Sequence, residues 1–593
     1  MIMAKPQMES DPTDDSLSSK ANALIHSAFD NYLSEFVNIT RRAKSRFEKR
    51  DWKGIQDDSR ERLDIYERAL DRIAPGLTAL LRENACDRSL WVAMKKEYPA
   101  MFAGRHDLDL AQTFFNSVTR KMFSTVGLDR EIEFFQLEAG ETEMAEVGGV
   151  YRRYPKNRDT RYLVQDILLD HKFEIRYESV ERDAEVVARE IDLHLWPLVG
   201  YQDYQSIDII NSHFYRNKVA YLVGRICAGA RCIPLIIPLY NGDNGVYVDT
   251  VLLNEAEASI VFSFAHSYFQ VVVERHDELI RFLKTILPEK PISELYVSIG
   301  YNRHGKTEFY RDLHRFVHRA RGEFVIAPGR EGAVMIVFTM QNYDYVFKVI
   351  KDGPCFLRTP DETPKTTTKP EVMYQYSFVC HRDRVGRMVD TQEFENLRFK
   401  KGRFSEQLLG EFAVAARDTV SIEGDYVVIH HLYIQRKVMP LLLYLQHQCD
   451  AEAVRRVIVD FGFFLKDLAA SGIFPSDLFN VWNYGVTRRG RVVLFDYDDV
   501  TPLEKINFRI KPQPQDEFEE MEPEQDWVVV MPGDYFIDEM ERYSGLPPSL
   551  RPIFKAYHDD IYTLEFWRDM QRRIHEGEIV DITPYDRSKR FSR

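Results

Sequence analysis

No apolar run in this sequence is long enough to span a bilayer. Residues 233–240 are among the longest, and Pro234 and Pro238 interrupt them. The first 16 residues have no apolar core of the kind a secretory leader needs and are acidic, so residues 1–20 are expected to form a frayed tail. Cysteine is sparse: six residues, Cys86, Cys227, Cys232, Cys355, Cys380 and Cys449, with no C-x-x-C spacing. The closest pair, Cys227 and Cys232, has neither a second pair nor a neighbouring histidine to complete a zinc site, so buried free thiols in a reducing cytoplasm are expected. Positive charge is in deficit, with 79 Lys and Arg against 93 Asp and Glu. The formal net charge of −14 argues against general nucleic-acid binding. No repeat of solenoid length is present.

What remains is an ordinary soluble composition, 44% apolar and 29% charged, spread over 593 residues. That length exceeds one compact core and implies two domains or more. Residues 21–125 have helical texture: Leu63, Tyr66, Leu70, Ile73, Leu77 and Leu80 fall on one face, as do Ala111, Phe114, Val118 and Met122. Pro75-Gly76 should kink or split the first of these helices. Residues 147–273 mix helix and strand. Within them, 231–253 predict a hairpin turning through the Asn- and Gly-rich 241–245, with the two prolines demoting its first strand to a sheet edge. Helix returns at 274–286. A basic helical stretch at 311–322 leads into a second domain; it can dock on either domain, a solvated connecting helix being the plain expectation. The expected architecture is α+β in two domains, a mainly helical one over 21–315 and a second over 316–593.

The richest stretch is 323–352, which reads as strand, glycine-bearing loop, strand, turn, strand. Gly329 and Gly332 let the backbone approach phosphates closely, and Lys348 on the third strand can reach the same phosphates. This is the nucleotide-gripping half of a protein-kinase-like lobe. Phosphoryl transfer asks mainly for positioning and charge neutralisation, so a catalytic aspartate and metal-holding groups should follow. Asp477 follows a helix and a short loop, Asn480 and Asn483 come within six residues of it, and a strand leads into Asp496, 19 residues after Asp477. A lone loop aspartate is usually a cap; the ordered set makes the catalytic reading the stronger one.

His381-Arg382-Asp383 spells a kinase catalytic triplet but lies only 35 residues after Lys348, too early for a conventional catalytic loop. Asp383 can still lie near the phosphates. The glycine loop is not G-x-G-x-x-G, no arginine precedes Asp477, and D-Y-D at 496–498 replaces D-F-G. Glu406 and Glu411 lie on a plausible helix as partners for Lys348, with surface ion pairing an equal alternative.

These departures, taken with APGREGAVM (327–335), YVFKVIKD (345–352), HLYIQRKVMPL (431–441), FPSD (474–477), YGVTRRGRVV (484–493) and DYDD (496–499), resemble the bacterial isocitrate dehydrogenase kinase/phosphatase family. PGDYF (532–536) and WRDMQRRIHEGEIVD (567–581) extend the resemblance to the C-terminal region. The resemblance implies a cytoplasmic bifunctional enzyme that uses ATP and Mg²⁺ to phosphorylate a serine of NADP-dependent isocitrate dehydrogenase, and that also removes the phosphate. That balance, under adenine-nucleotide control, would direct carbon between the tricarboxylic acid cycle and the glyoxylate bypass. By matching positions it implies an ATP loop of Ala327, Pro328, Gly329 and Arg330 with Glu331, Gly332 and Ala333, and Lys348 on the phosphates. It also implies Asp477 at the acceptor hydroxyl, Asp383 in phosphate removal, and Asp496 with Asn483 on the metal, Asn480 being the alternative amide. Competing readings are a nucleotide-sensing pseudokinase scaffold and a small-molecule kinase. No membrane or nucleic-acid partner is expected.

Overall fold

The computed structural model describes the backbone of residues 12–592 except 136–148, 200–203, 264–267, 320–321, 329–331, 333, 354, 358–364, 385, 477, 479–480, 499, 513–528 and 542–544. The chain opens with a helical hairpin, Pro12–Glu48 and Trp52–Leu81. Asp51 caps the second helix by accepting from Gly54 N at 2.9 Å. The periodic face is buried at Tyr66, Leu70, Ile73 and Leu77. Of the expected kink or split at Pro75, the split does not occur: the helix runs on to Leu81. Pro75, Gly76 and Asp71 are all exposed, so the Asp71 carbonyl deprived of its donor can turn to water.

Six antiparallel strands follow: β1 (Tyr151–Pro155), β2 (Ser206–Ile210), β3 (Phe214–Arg216), β4 (Val219–Ala228), β5 (Arg231–Gly242) and β6 (Gly245–Val248). Their order is β1-β2-β4-β5-β6, with β3 also on β4. Tyr221, Val223 and Ile236 pack with the helical hairpin and the helix Leu108–Phe123, whereas Leu222, Leu235 and Ile237 pack with the helices Thr160–Asp170 and Val180–Val199. Both faces are therefore buried, which is why β5 reads as one continuous apolar run.

The expected hairpin forms between β5 and β6, with Gly245 at φ +137° in its turn. The first strand is not an edge, however, since β5 lies between β4 and β6. β6 reaches only Leu239–Gly242 of it. Ile236, in phase with Pro234 and Pro238, exchanges hydrogen bonds with Leu252 on the side away from β4. The N–H groups the prolines lack would thus point away from the β4 ladder, where β6 does not reach. Cys227 and Cys232 face each other across β4 and β5 as free thiols. Cys86, Cys232 and Cys449 are exposed, correcting the expectation of burial.

The helix Asn302–Arg319 joins the halves. Of the two readings, docking holds and solvation does not: Phe309, Tyr310 and Leu313 enter the core of the next lobe. That lobe holds β7 (Phe324–Ile326), β8 (Met335–Met340), β9 (Tyr345–Ile350), β12 (Thr391–Lys400), β13 (Val420–Glu423) and β14 (Tyr426–Arg436) in the order β12-β14-β9-β8-β7, with β13 on β14. A small hairpin, β10 (Cys355–Leu357) and β11 (Lys365–Thr367), precedes the helix Lys369–Arg382. The lower lobe is built on the helix Ala451–Ala470, β15 (Met439–Pro440), β16 (Ile473–Pro475), β17 (Tyr484–Val486), β18 (Val492–Leu494) and the helix Leu564–His575. The last residues return to the first domain, where Tyr585 Oη donates to Asp249 Oδ2 at 2.8 Å. Among the described residues no helix is long and apolar enough to cross a membrane.

Candidate active site

Lys348 sits in β9 opposite Val337 on β8 and Tyr433 on β14, so its side chain projects from the middle of the upper sheet. It is only 4% exposed. Nζ donates to the Phe495 carbonyl at 2.8 Å and to Tyr376 Oη at 3.4 Å, and lies 4.0 Å from Asp496 Oδ1. An upper-lobe ammonium and a lower-lobe carboxylate thus meet in one cleft. Asp496 keeps 37% of its side chain exposed, open to a ligand. Gln435 Nε2 also donates to the Phe495 carbonyl, at 3.0 Å, fixing the approach of Asp496 from the β14 side.

Asn483 is brought to the same segment. Its carbonyl accepts from Phe495 N at 3.3 Å, extending the β17–β18 ladder by one pair. Ala327 N donates to Val337 O at 2.9 Å, anchoring the start of the glycine loop at the end of β7, and Pro328 beyond it is exposed. A Cβ on Gly332 would lie 2.5 Å from the Met335 carbonyl, so no other residue fits that bend without a shift of backbone. Gly329, Arg330, Glu331, Ala333, Asp477 and Asn480 lie outside the described residues.

Asp383 is not in a catalytic loop of the usual kind. It caps the C-terminus of the helix Lys369–Arg382 and is buried, 3% exposed, with Oδ1 accepting from Gly386 N at 3.0 Å and Arg387 N at 3.3 Å. Arg387 O accepts from Leu494 N at 2.8 Å, and Val389 N donates back to Leu494 O at 3.0 Å. The segment after Asp383 is therefore laid alongside β18, the strand that delivers Asp496. Met388 and Leu494, 106 residues apart in sequence, are neighbours through one parallel bridge.

Sequence reasoning missed the supports of this cleft. Tyr376 stacks on Tyr433 at 4.1 Å and leans on Tyr497 at 4.8 Å, walling Lys348 with three aromatic rings. Burial pushes the Tyr376 and Tyr497 hydroxyls well above their ordinary range, so both stay neutral. Arg387 is the other support: Nε donates to Asp467 Oδ2, Nη1 and Nη2 to the two oxygens of Asp460, at 2.8, 2.8 and 2.9 Å. Burial would raise the Asp460 carboxyl, but the Arg387 guanidinium outweighs it and holds the group below its ordinary value. The only local signal was Val372, Tyr376 and Val379 on one helical face. Neither Glu406 nor Glu411 partners Lys348; Glu411 pairs with Lys351 at 3.7 Å, the ordinary ion pair that was the alternative. Among the described residues, no group of three or more His, Cys, Asp or Glu is arranged to hold a metal.

Comparison with known proteins decides the kinship. Residues 22–321 match the family model described as isocitrate dehydrogenase kinase/phosphatase (AceK), regulatory domain, and residues 322–587 match the model for its kinase domain. The chain belongs to the isocitrate dehydrogenase kinase/phosphatase family. It is 43% identical over 569 residues to the isocitrate dehydrogenase kinase/phosphatase of Anaeromyxobacter sp. (strain Fw109-5), covering 96% of this chain and 97% of that protein. Identity to the protein of that name from Anaeromyxobacter dehalogenans (strain 2CP-C) is 39% over 588 residues, covering 97% and 98% of the two chains. For Serratia proteamaculans (strain 568) it is 35% over 573 residues, 96% of each. In the kinase/phosphatase family's terms, the helical hairpin and six-stranded sheet are the regulatory part, and the cleft between β9 and β18 belongs to the kinase part.

Proposed function

We propose that this chain is a bifunctional enzyme that phosphorylates isocitrate dehydrogenase and removes that phosphate again, both in the cleft holding Lys348 and Asp496. The observation that carries the reading is the 4.0 Å approach of Lys348 Nζ to Asp496 Oδ1 across two lobes. A scaffold without chemistry has no need to keep a buried ammionium beside a half-exposed acid. The substrate in this reading is a serine of the NADP-dependent dehydrogenase, the nucleotides are ATP and ADP, and the setting is the cytoplasm. The consequence is control of flux between the tricarboxylic acid cycle and the glyoxylate bypass. Residues 21–315 serve as the regulatory domain responding to adenine nucleotides, and 316–593 as the catalytic one.

The residues fit a nucleotide and its metal. Lys348 neutralises phosphate charge from a dry site, where the interaction is worth more than in water. Asp496 and Asn483 offer hard oxygen donors, the kind Mg²⁺ takes alongside phosphate oxygens and water. When bound, that ion supplies charge neutralisation at the transferring phosphoryl group. Residues 327–333 cover the phosphates, Asp477 orients the acceptor hydroxyl and takes its proton, and Asp383 with Asp477 orients water for phosphate removal.

The test is direct. Incubation with γ-labelled ATP, Mg²⁺ and purified isocitrate dehydrogenase should place label on the dehydrogenase, and an ADP chase should remove it. No label under any nucleotide condition would instead favour the pseudokinase scaffold.

A further inference from the structure

The regulatory half touches the backbone beside Asp383 through the side chain of Asn217. Arg216 and Val219 close the two-residue turn between β3 and β4. Asn217 in that turn adopts φ +55°, a left-handed conformation that asparagine tolerates better than most residues. Its Oδ1 accepts from Gln56 Nε2 at 3.0 Å, and its Nδ2 donates to the Arg384 carbonyl at 2.9 Å; both bonds are buried and join residues 161 and 167 apart. The carbonyl can only accept, so Nδ2 must face it and Oδ1 must face Gln56. Asparagine meets both demands at once; aspartate cannot donate, and glycine offers neither group.

The far end of this relay is one peptide from Asp383. Arg384 is itself held from the other side, with Nη1 donating to Val580 O at 3.2 Å and Nη2 to Ala470 O at 2.5 Å. Beyond it, Arg387 and Val389 pair with Leu494 beside Asp496. Arg216, next to Asn217, is 3% exposed, with Nη1 on Val261 O at 3.1 Å. Among the described residues its Nε and Nη2 meet no hydrogen-bond partner. Asp383 is one of the charges that favour this buried guanidinium. The turn thus brings a directional hydrogen bond and a buried cation to the flank of Asp383, and both come from the first domain.

We propose that Asn217 is a positioning residue for Asp383. The Gln56–Asn217–Arg384 relay lets the first domain set where the Asp383 carboxylate sits, and so biases phosphate removal relative to phosphorylation. This rests on the reading that Asp383 serves phosphate removal. A relay that merely glued the domains together would affect both reactions and the thermal midpoint in proportion.

The test uses the full chain and measures label transfer to and release from isocitrate dehydrogenase separately, with kcat and KM for each and a thermal midpoint. Asn217→Gly keeps the backbone conformation and removes the amide; Asn217→Asp keeps the size and the acceptor and removes the donor. Each should lower kcat for phosphate removal by about tenfold, since small misplacements of a reacting group carry costs of that order. KM for the phosphorylated dehydrogenase and the kinase kcat should stay within about twofold, and Gln56→Ala should act in the same direction. In an Asp383→Ala background, Asn217→Gly should add nothing. Equal loss of both activities in step with a falling midpoint, or an undiminished effect in that background, overturns the proposal. If Asp383→Ala impairs phosphate removal but both Asn217 variants do not, the proposal alone fails. If Asp383→Ala leaves phosphate removal intact, the assignment of Asp383 falls and takes this inference with it.

Discussion

Tyr497 donates its hydroxyl to the Val389 carbonyl at 2.7 Å from a fully buried position. The tyrosine that stands where most kinases carry phenylalanine is thereby a tie between the Asp496 segment and the segment that begins at Asp383. Tyr497→Phe removes that tie while keeping the ring. The expected cost is about 1–2 kcal/mol in denaturant unfolding, because a buried carbonyl loses one of its donors. Thr391 Oγ1 still donates to the same carbonyl at 2.9 Å, which keeps the loss modest.

Lys348→Met should cut phosphorylation of the dehydrogenase by about 10²-fold or more, the scale seen when a preorganised electrostatic group is removed. Lys348→Arg should not restore it, since a planar fork does not fit a pocket shaped by Tyr376, Tyr433 and the Phe495 carbonyl. Because Gln435 remains on the Phe495 carbonyl, the thermal midpoint should move little. A large fall in midpoint would mean that Lys348 serves the fold more than the chemistry.

Asp383→Ala is expected to depress phosphate removal more than phosphorylation. Release of label from phosphorylated dehydrogenase, set against its incorporation, measures the difference. Equal loss of both would leave no separate role for this carboxylate.

Arg387→Leu strands two carboxylates, Asp460 and Asp467, in the lower lobe. Removing one partner from a buried ion-pair network costs about 3–5 kcal/mol, which should appear as a large drop in thermal midpoint. The pH dependence follows from the same contact. Asp460 titrates below its usual 3.8 in the folded protein, so its contribution is present above that value and is lost as pH falls through the depressed one.

Two buried histidines act at milder acidity. Burial lowers His171 and His558 from 6.5 to about 4. Between those values the unfolded chain binds more protons than the folded one, so stability is full above pH 6.5 and is lost as pH falls toward 4. His558→Gln, which can keep a donor on the Val459 carbonyl now reached by Nε2 at 2.8 Å, should flatten the fall in thermal midpoint across that window. An unchanged slope would show that His558 is already protonated without penalty.

The sequence by itself determined what is local. The helical faces around Tyr66 and Phe114, the β5–β6 turn with its Asn and Gly residues, and the strand bearing Lys348 all follow from spacing and turn chemistry that act within a few residues. It also carried the family resemblance, because ordered motifs survive as strings. What lay between distant segments was decided only by the tertiary structure. Asp383 laid beside β18, Tyr376 walling the lysine and Asn217 reaching Arg384 all depend on which surfaces meet after more than twenty residues of intervening chain. Such contacts form because burial of both faces of the sheet and of the cleft walls selects one packing. A one-dimensional pattern specifies which faces must be buried, but not what buries them.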